Sequence, residues 1–124
     1  MKEIFSEINT IDSVKASFFF AEDGTLIVYE AGDYSDLTRE MVEDFSSSLN
    51  WKAISKKFSD INETELLFSK FRVYMRKAEN GFVVVLMGLM APIEVVRLNI
   101  DLIMPDLDSL KKSKKIGRFF KFRS

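Results

Sequence analysis

The hydrophobic pattern of the chain centres on one run, GFVVVLMG at residues 81–88, in which no residue from Phe82 to Met87 is polar. A strand with one solvent-facing side alternates apolar and polar residues, whereas a strand covered on both faces does not. The consecutive valines and the short length favour a strand over a buried helical turn. A second run, Val14 to Ala21, is nearly as apolar. We expect these two strands to lie side by side in the middle of a sheet.

Two turn signals connect further strands to this pair. Asp23-Gly24 lies between β-rich runs, and its glycine can adopt the positive φ of a hairpin turn, so Thr25 to Glu30 is predicted as the return strand. Asn80-Gly81 predicts a second hairpin that leads into the central run. Before it, residues 64–71 and 72–79 are predicted as two strands. The second of these alternates apolar and polar side chains, which predicts one solvent-facing side.

Three helices complete the predicted order α-β-β-α-β-β-β-α. Residues 3–9 form a short amphipathic helix, a long helix runs from Ser35 to about Phe58, and a third begins at Pro92 and ends at Pro105. One apolar stripe of the long helix is enough to cover a sheet. The third helix is apolar around most of its surface, which is more than one sheet contact requires. The sheet is therefore expected to have helices on both faces.

The sequence contains more apolar side chains than this core requires. Trp51, Ile54 and Phe58 fall on a second side of the long helix, and two interpretations stay open: they belong to the core of their own chain, or they form a partner surface. The strand from Glu65 to Lys70 is a candidate open edge. Its charged ends either protect it against random pairing or flank the pairing of two copies.

Composition excludes several kinds of chemistry. The 124 residues contain no Cys and no His, which rules out disulfides, thiolate or imidazole metal ligands and Cys or His catalysis. No phosphate-binding GxxxxGK[ST] or GxGxxG motif is present. The acidic pair Glu22-Asp23 is interpreted as a solvated hairpin turn. We therefore predict no catalytic residue, no cofactor, no metal site, and a protein that is not an enzyme.

Charge divides the chain into two parts. Residues 111–124 carry seven Lys or Arg and no acid, while positions 1–110 hold 11 basic and 19 acidic residues. This predicts a domain at residues 1–108 and a basic, aromatic tail at 109–124. The tail is interpreted as a solvated end, as an attachment to anionic membranes, or as a contact with an acidic protein. The residues of the membrane or anion contact would be Lys111, Lys112, Lys114, Lys115, Arg118, Phe119, Phe120, Lys121, Phe122 and Arg123.

The order of elements and two stretches, INTIDSVKASFFFAEDGTLIVYEAG and ENGFVVVLMGLMAPIEVVRLNIDLI, resemble the roadblock / dynein light chain family. This resemblance implies an α/β sandwich with a five-stranded, mostly antiparallel sheet of order 2-1-5-4-3 and a profilin-like topology. The basic aromatic tail and the large side chains late in the long helix depart from the family pattern.

The resemblance also implies a function. Members are commonly dimers that act as non-enzymatic scaffolds or regulators of small Ras-like GTPases, so we expect a homodimer with a GTPase partner. No dedicated nucleic-acid site is expected. The expected location is cytoplasmic, with peripheral attachment to a membrane left open. The alternatives are a membrane-associated adaptor and a small-ligand sensor. The predicted partner or dimer interface consists of Trp51, Ile54, Phe58, Leu66 and Phe68.

Overall fold

The computed structural model describes residues 4–31, 44–45, 50–57 and 60–109. Within this part of the chain, the strands are β1 (Val14–Ala21), β2 (Leu26–Ala31), β3 (Glu63–Leu67), β4 (Arg72–Ala78) and β5 (Gly81–Met87). The helices are α1 (Trp51–Lys57) and α2 (Ile93–Asp108), and a short 3-10 helix, Ile8–Thr10, precedes β1.

All neighbouring strands run antiparallel, in the order β2-β1-β5-β4-β3. The apolar run of β5 lies in the centre, where Val84 pairs with Phe18 of β1 on one side and Met75 of β4 on the other. The predicted sheet order and the predicted pairing of the two most apolar strands are both confirmed.

Side chains of the central strands alternate between two cores. The first core lies against α2 and the N-terminal segment and contains Phe19, Val83, Val85, Val96 and Ile100. The second core lies against α1 and contains Phe18, Phe20, Trp51, Val84 and Leu86. Because both faces of β5 are covered, all seven of its residues are buried. The missing polar positions in its sequence follow from this placement.

The two hairpins use their glycines differently. Gly24 has a φ of +90°, as predicted for the β1–β2 turn, and Thr25 N–H donates to the Asp23 side chain across that turn. In the β4–β5 hairpin, Ala78 pairs with Gly81, so the turn residues are Glu79 and Asn80 rather than Asn80 and Gly81. A Cβ on Gly81 would lie 2.0 Å from the Phe20 carbonyl oxygen. Close approach of β1 therefore requires this glycine.

The helix predictions need two corrections in the first half of the chain. The predicted opening helix is a series of turns followed by the 3-10 helix, since so short a segment gains little from helical hydrogen bonds alone. The predicted long helix is interrupted at Asn50, whose side-chain oxygen accepts a hydrogen bond from Ala53 N–H and caps α1. The proposed start of that helix at Ser35 lies outside the described residues.

Two further predictions were wrong in the second half. Pro105 does not end α2, which continues to Asp108. The last turn is held by the buried Leu107 and by Asp108, whose carboxylate accepts a hydrogen bond from Glu79 N–H and whose carbonyl accepts one from the Asn80 amide. Strand β4 also lacks the predicted solvent-facing side, because α2 covers Tyr74.

Candidate protein-interaction surface

Strand β3 forms one edge of the sheet. It pairs with β4 from Glu63, opposite Arg76, to Leu67, opposite Arg72. In the part of the chain that the structure describes, no strand pairs with its other side. The outward-facing N–H and C=O groups of such an edge can pair with a further strand.

Apolar side chains are exposed where this edge strand ends. Leu67 is 71% exposed and Phe68 is 41% exposed. Phe68 stacks on Phe71, with ring centroids 4.6 Å apart, which holds its ring in place beside the edge. Leu66 points the other way and packs, half-buried, against the α1-side core. In this segment the Leu66 side chain therefore faces the core, while the side chains of Leu67 and Phe68 face the surface.

Trp51 lies in the core of its own chain and is 4% exposed. Its ring stacks on Phe20 at 4.4 Å and meets Phe45 edge-on at 5.7 Å. Ile54 is partly buried against the same core. Trp51 therefore packs within its own chain, where an aromatic cluster of the second core covers it. Phe58 lies outside the described residues.

A second exposed apolar surface lies on α2. Val95, Leu98 and Leu102 recur at helical spacing and are all exposed, while Val96, Ile100 and Leu107 on the other side are buried. We call the three exposed residues the α2 stripe. The sequence indicated surplus apolar residues on this helix, but the predicted interface did not include them. Their i, i+3, i+7 spacing was the signal that could have identified them.

A polar cluster joins the β3 edge to α2. Tyr74 O–H donates to Glu63 Oε1 at 2.6 Å, and Arg97 of α2 donates to both Glu63 oxygens at 3.1 and 2.8 Å. The hydrogen bond from Tyr74, followed by the contacts from Arg97, lowers the pKa of Glu63. Burial, together with the same hydrogen bond to Glu63, raises the pKa of Tyr74. The cluster fixes the position of β3 relative to α2.

Two more ion pairs hold charged side chains of this region within the chain. Arg76 of β4 pairs with Asp101 of α2, and Arg72 Nη1 lies 3.1 Å from Glu65 Oε2. Glu65, which the sequence placed as a charge flanking the open edge, is thus tied to the adjacent strand. Leu67 and Phe68 are the large apolar side chains that stay exposed at the end of that edge.

The described residues include no group of three or more His, Cys, Asp or Glu that could hold a metal ion. None of the helices found in them is long and apolar enough to cross a membrane. The basic residues and phenylalanines predicted to contact a membrane or anion, at positions 111–123, lie outside the described residues.

Comparison with known proteins relates the chain to others through its fold. No family model matches the sequence, and no curated protein matches it significantly. Among solved structures, MglC from Myxococcus xanthus is 16% identical, with a TM-score of 0.62 over 86% of this chain and 98% of that chain. The gliding protein MglB from Thermus thermophilus is 9% identical, with a TM-score of 0.64 over 85% of this chain and 83% of that one.

A Roadblock/LC7 domain from Streptomyces avermitilis is also similar, at 11% identity and a TM-score of 0.56 over 78% of this chain and 84% of that chain. These structures and the sheet order define the class: the chain has the roadblock-domain fold. At such low identities the likeness establishes the fold alone. The resemblance noted in the sequence is confirmed at that level.

Proposed function

We propose that this protein is a self-associating, non-enzymatic scaffold that binds a small Ras-like GTPase. The open β3 edge, which ends in exposed Leu67 and Phe68, carries the proposal. The fold supports it, since similar structures include a gliding protein and an MglB described in a tetrameric arrangement. The GTPase would supply the residues that hydrolyse its nucleotide, while this chain would bind and orient it.

Self-association would use the β3 edge. Two copies related by a two-fold axis would place their β3 strands side by side and antiparallel, which joins two five-stranded sheets into one. Backbone hydrogen bonds would satisfy the outer edge of each strand. Leu67 and Phe68 would be removed from water at both ends of the junction, which favours pairing.

The mass of the full-length chain in solution tests this step. We expect a dimer in analytical ultracentrifugation, and we expect Leu67→Asp to raise its dissociation constant by about 30-fold or more, because a charge would be buried without a partner where Leu67 packs in the junction. Leu102→Asp is the matched control, because Leu102 is 69% exposed but lies on α2. A monomer at all concentrations, or equal effects of the two variants, would contradict pairing through β3.

Binding of a GTPase is tested separately. Purified Ras-like GTPases would be loaded with GDP or with a non-hydrolysable GTP analogue and passed over the immobilised protein. We expect retention that depends on the bound nucleotide, because a regulator distinguishes the two states of its partner. Retention that is absent or equal for both nucleotides would argue against GTPase regulation, whatever the oligomeric state.

A membrane-associated adaptor is the second proposal, favoured by seven basic residues and three phenylalanines at positions 111–124. Each basic residue near an anionic surface contributes about 1 kcal/mol of binding free energy. Co-sedimentation with anionic vesicles would compare the full chain with a variant ending at Asp108. Equal sedimentation of both would remove the tail from this function.

A further inference from the structure

A cavity of about 270 Å³ opens on the α1 side of the sheet. It lies where the β1–β2 turn, the start of β5, the start of β3 and the exposed side of α1 meet, and residues from all four places line it. The cavity is distinct from the exposed end of β3, because Leu67 and Phe68 are at the opposite end of that strand from Glu63.

The position of α1 explains why this space is present. Trp51, at the start of the helix, stacks on Phe20 of β1 and lies 6.1 Å from the ring of Phe82 in β5. The helix therefore packs on the two central strands. Toward β4 and β3, the same face of the sheet contributes Met75 and Thr64 to the lining of the cavity.

The floor of the cavity is apolar. Met75 and Phe82 present the outer parts of side chains that are otherwise buried in the second core. Ile61, which precedes β3, adds a third apolar side chain and is 42% exposed. A ligand that lay on these three residues would remove mainly the exposed part of Ile61 from water, since Met75 and Phe82 are 4% and 6% exposed, and this favours binding.

The rim is cationic. Lys52 and Lys56 lie one helical turn apart on α1, and Lys77 of β4 also lines the cavity. The ion pairs of the described residues include neither Lys52 nor Lys56.

The other charged lining residues largely have partners elsewhere. Glu63 binds Tyr74 and Arg97. Arg76 likewise donates to Tyr74 and Asp101. Glu22, in the β1–β2 turn, is the remaining acid of the lining. Lys77 also has an interaction within the chain. Lys52 and Lys56 together against Glu22 therefore leave an excess of positive charge at the rim.

We propose that this cavity binds a small amphipathic anion: an apolar body on Met75, Phe82 and Ile61, and one carboxylate head between Lys52 and Lys56. The size of the cavity, just below the usual range for ligand sites, restricts the body to a short chain or a single ring. The proposal does not rest on the proposed binding of a GTPase. It would give the roadblock-type domain a metabolite-responsive surface next to α1.

Octanoate is the probe, and calorimetry on the full chain is the measurement. We expect a dissociation constant of about 0.2–5 mM, as a ligand of this size allows. Heptylamine has the same seven-carbon apolar chain as octanoate with the opposite charge, and we expect at least about ten-fold weaker binding. Equal affinity for the two compounds, or no octanoate binding in this range, would overturn the proposal.

Variants locate the site. The double variant Lys52→Ala/Lys56→Ala is expected to raise the dissociation constant of octanoate about ten-fold. The loss of each partly solvated charge should raise it about three-fold, and the two effects multiply. Lys57→Ala is the matched control, because Lys57 is an exposed lysine of the same helix that does not line the cavity. An equal effect of the control and the double variant would overturn the assignment of the head group.

Amide chemical shifts provide a readout that does not depend on any variant. Octanoate is expected to shift the amide signals of Lys52, Gly81 and Phe82, with small changes at Leu98 and Leu102 on α2. Thr64→Trp, which places a large side chain in the cavity, is expected to abolish binding without lowering the thermal midpoint by more than about 3 °C. Shifts concentrated on the α2 stripe would mean non-specific binding to exposed apolar surface and would overturn the proposal.

Discussion

Strands β5 and β3 belong to the same sheet but have opposite surroundings. All seven residues of β5 are buried between two strands and two layers of helix and turn. None of the five residues of β3 is fully buried, and β3 pairs with one described neighbour. Strand β5 thus specifies the fold through side-chain burial, whereas β3 is positioned by its neighbours. Within the described residues, the outer edge of β3 has no partner strand, and Leu67 at its end is exposed.

The largest expected effect comes from removing the same side chain in the two strands. Leu86→Ala in β5 should lower the free energy of unfolding by about 2–5 kcal/mol, because a buried leucine leaves a cavity. Leu67→Ala in β3 should change it by less than about 0.5 kcal/mol. Urea unfolding at a low protein concentration, where monomers predominate, measures both. Equal losses of unfolding free energy in the two variants would contradict the different roles of β5 and β3.

The next largest effect on the free energy of unfolding is expected from replacing a glycine by alanine, at position 81 and not at position 88. Gly81→Ala should cost about 2 kcal/mol or more, since its Cβ would lie 2.0 Å from the Phe20 carbonyl oxygen in the centre of the sheet. Gly88→Ala is the matched control, because its Cβ would find no atom closer than 3.6 Å. We expect the control to stay within about 0.5 kcal/mol in the same urea titration. A tolerated alanine at 81 would mean that β1 and β5 can separate without loss.

The smallest effect tests how β3 is positioned. Tyr74→Phe should cost about 1 kcal/mol at pH 7, the value of one hydrogen bond, because Glu63 loses its donor on β4. Burial raises the pKa of Tyr74, so its stabilising contribution is complete below about pH 10 and is lost as the pH rises through the pKa of the folded state. The variant should therefore lose less stability than the parent above about pH 10. Identical alkaline slopes in urea unfolding would contradict this.

The central strands could be predicted because their environment leaves a direct record in the sequence. A strand covered on both faces has few polar positions, and β1 and β5 were recognised from their apolar runs. The β1–β2 turn was equally clear, because Asp23-Gly24 supplies the positive φ that Gly24 adopts.

Other features depend on contacts between distant residues. The alternating sequence of β4 predicted a solvent-facing side, but α2 covers Tyr74 and Arg97 binds its partner Glu63. Pro105 predicted a helix end, but bonds from the β4–β5 turn to Asp108 extend the helix. The secondary-structure propensity of a segment reflects its own residues alone. In β4 and α2, contacts with distant residues outweigh that propensity.

The residues predicted for an interface differ in their exposure. Phe68 is exposed beside the edge strand, while Trp51 is enclosed by an aromatic cluster that no local pattern describes. A large apolar side chain on a helix can lie in the core or on the surface at the same sequence spacing. Its surroundings in the folded chain distinguish the two cases. The participation of Ile54, Phe58, Leu66 and Phe68 in an interface remains a prediction.

The bonds between Asp108 and the β4–β5 turn also determine the position of Ser109, the last residue that the structure describes. Ser109 follows at the end of the sheet that carries Glu79 and Asn80, whereas Leu67 lies opposite Arg72 at the other end. Ser109 and the apolar tip of the edge strand are thus separated by the full length of β4. A fluorescent label introduced near Ser109 would consequently lie away from the proposed β3 junction.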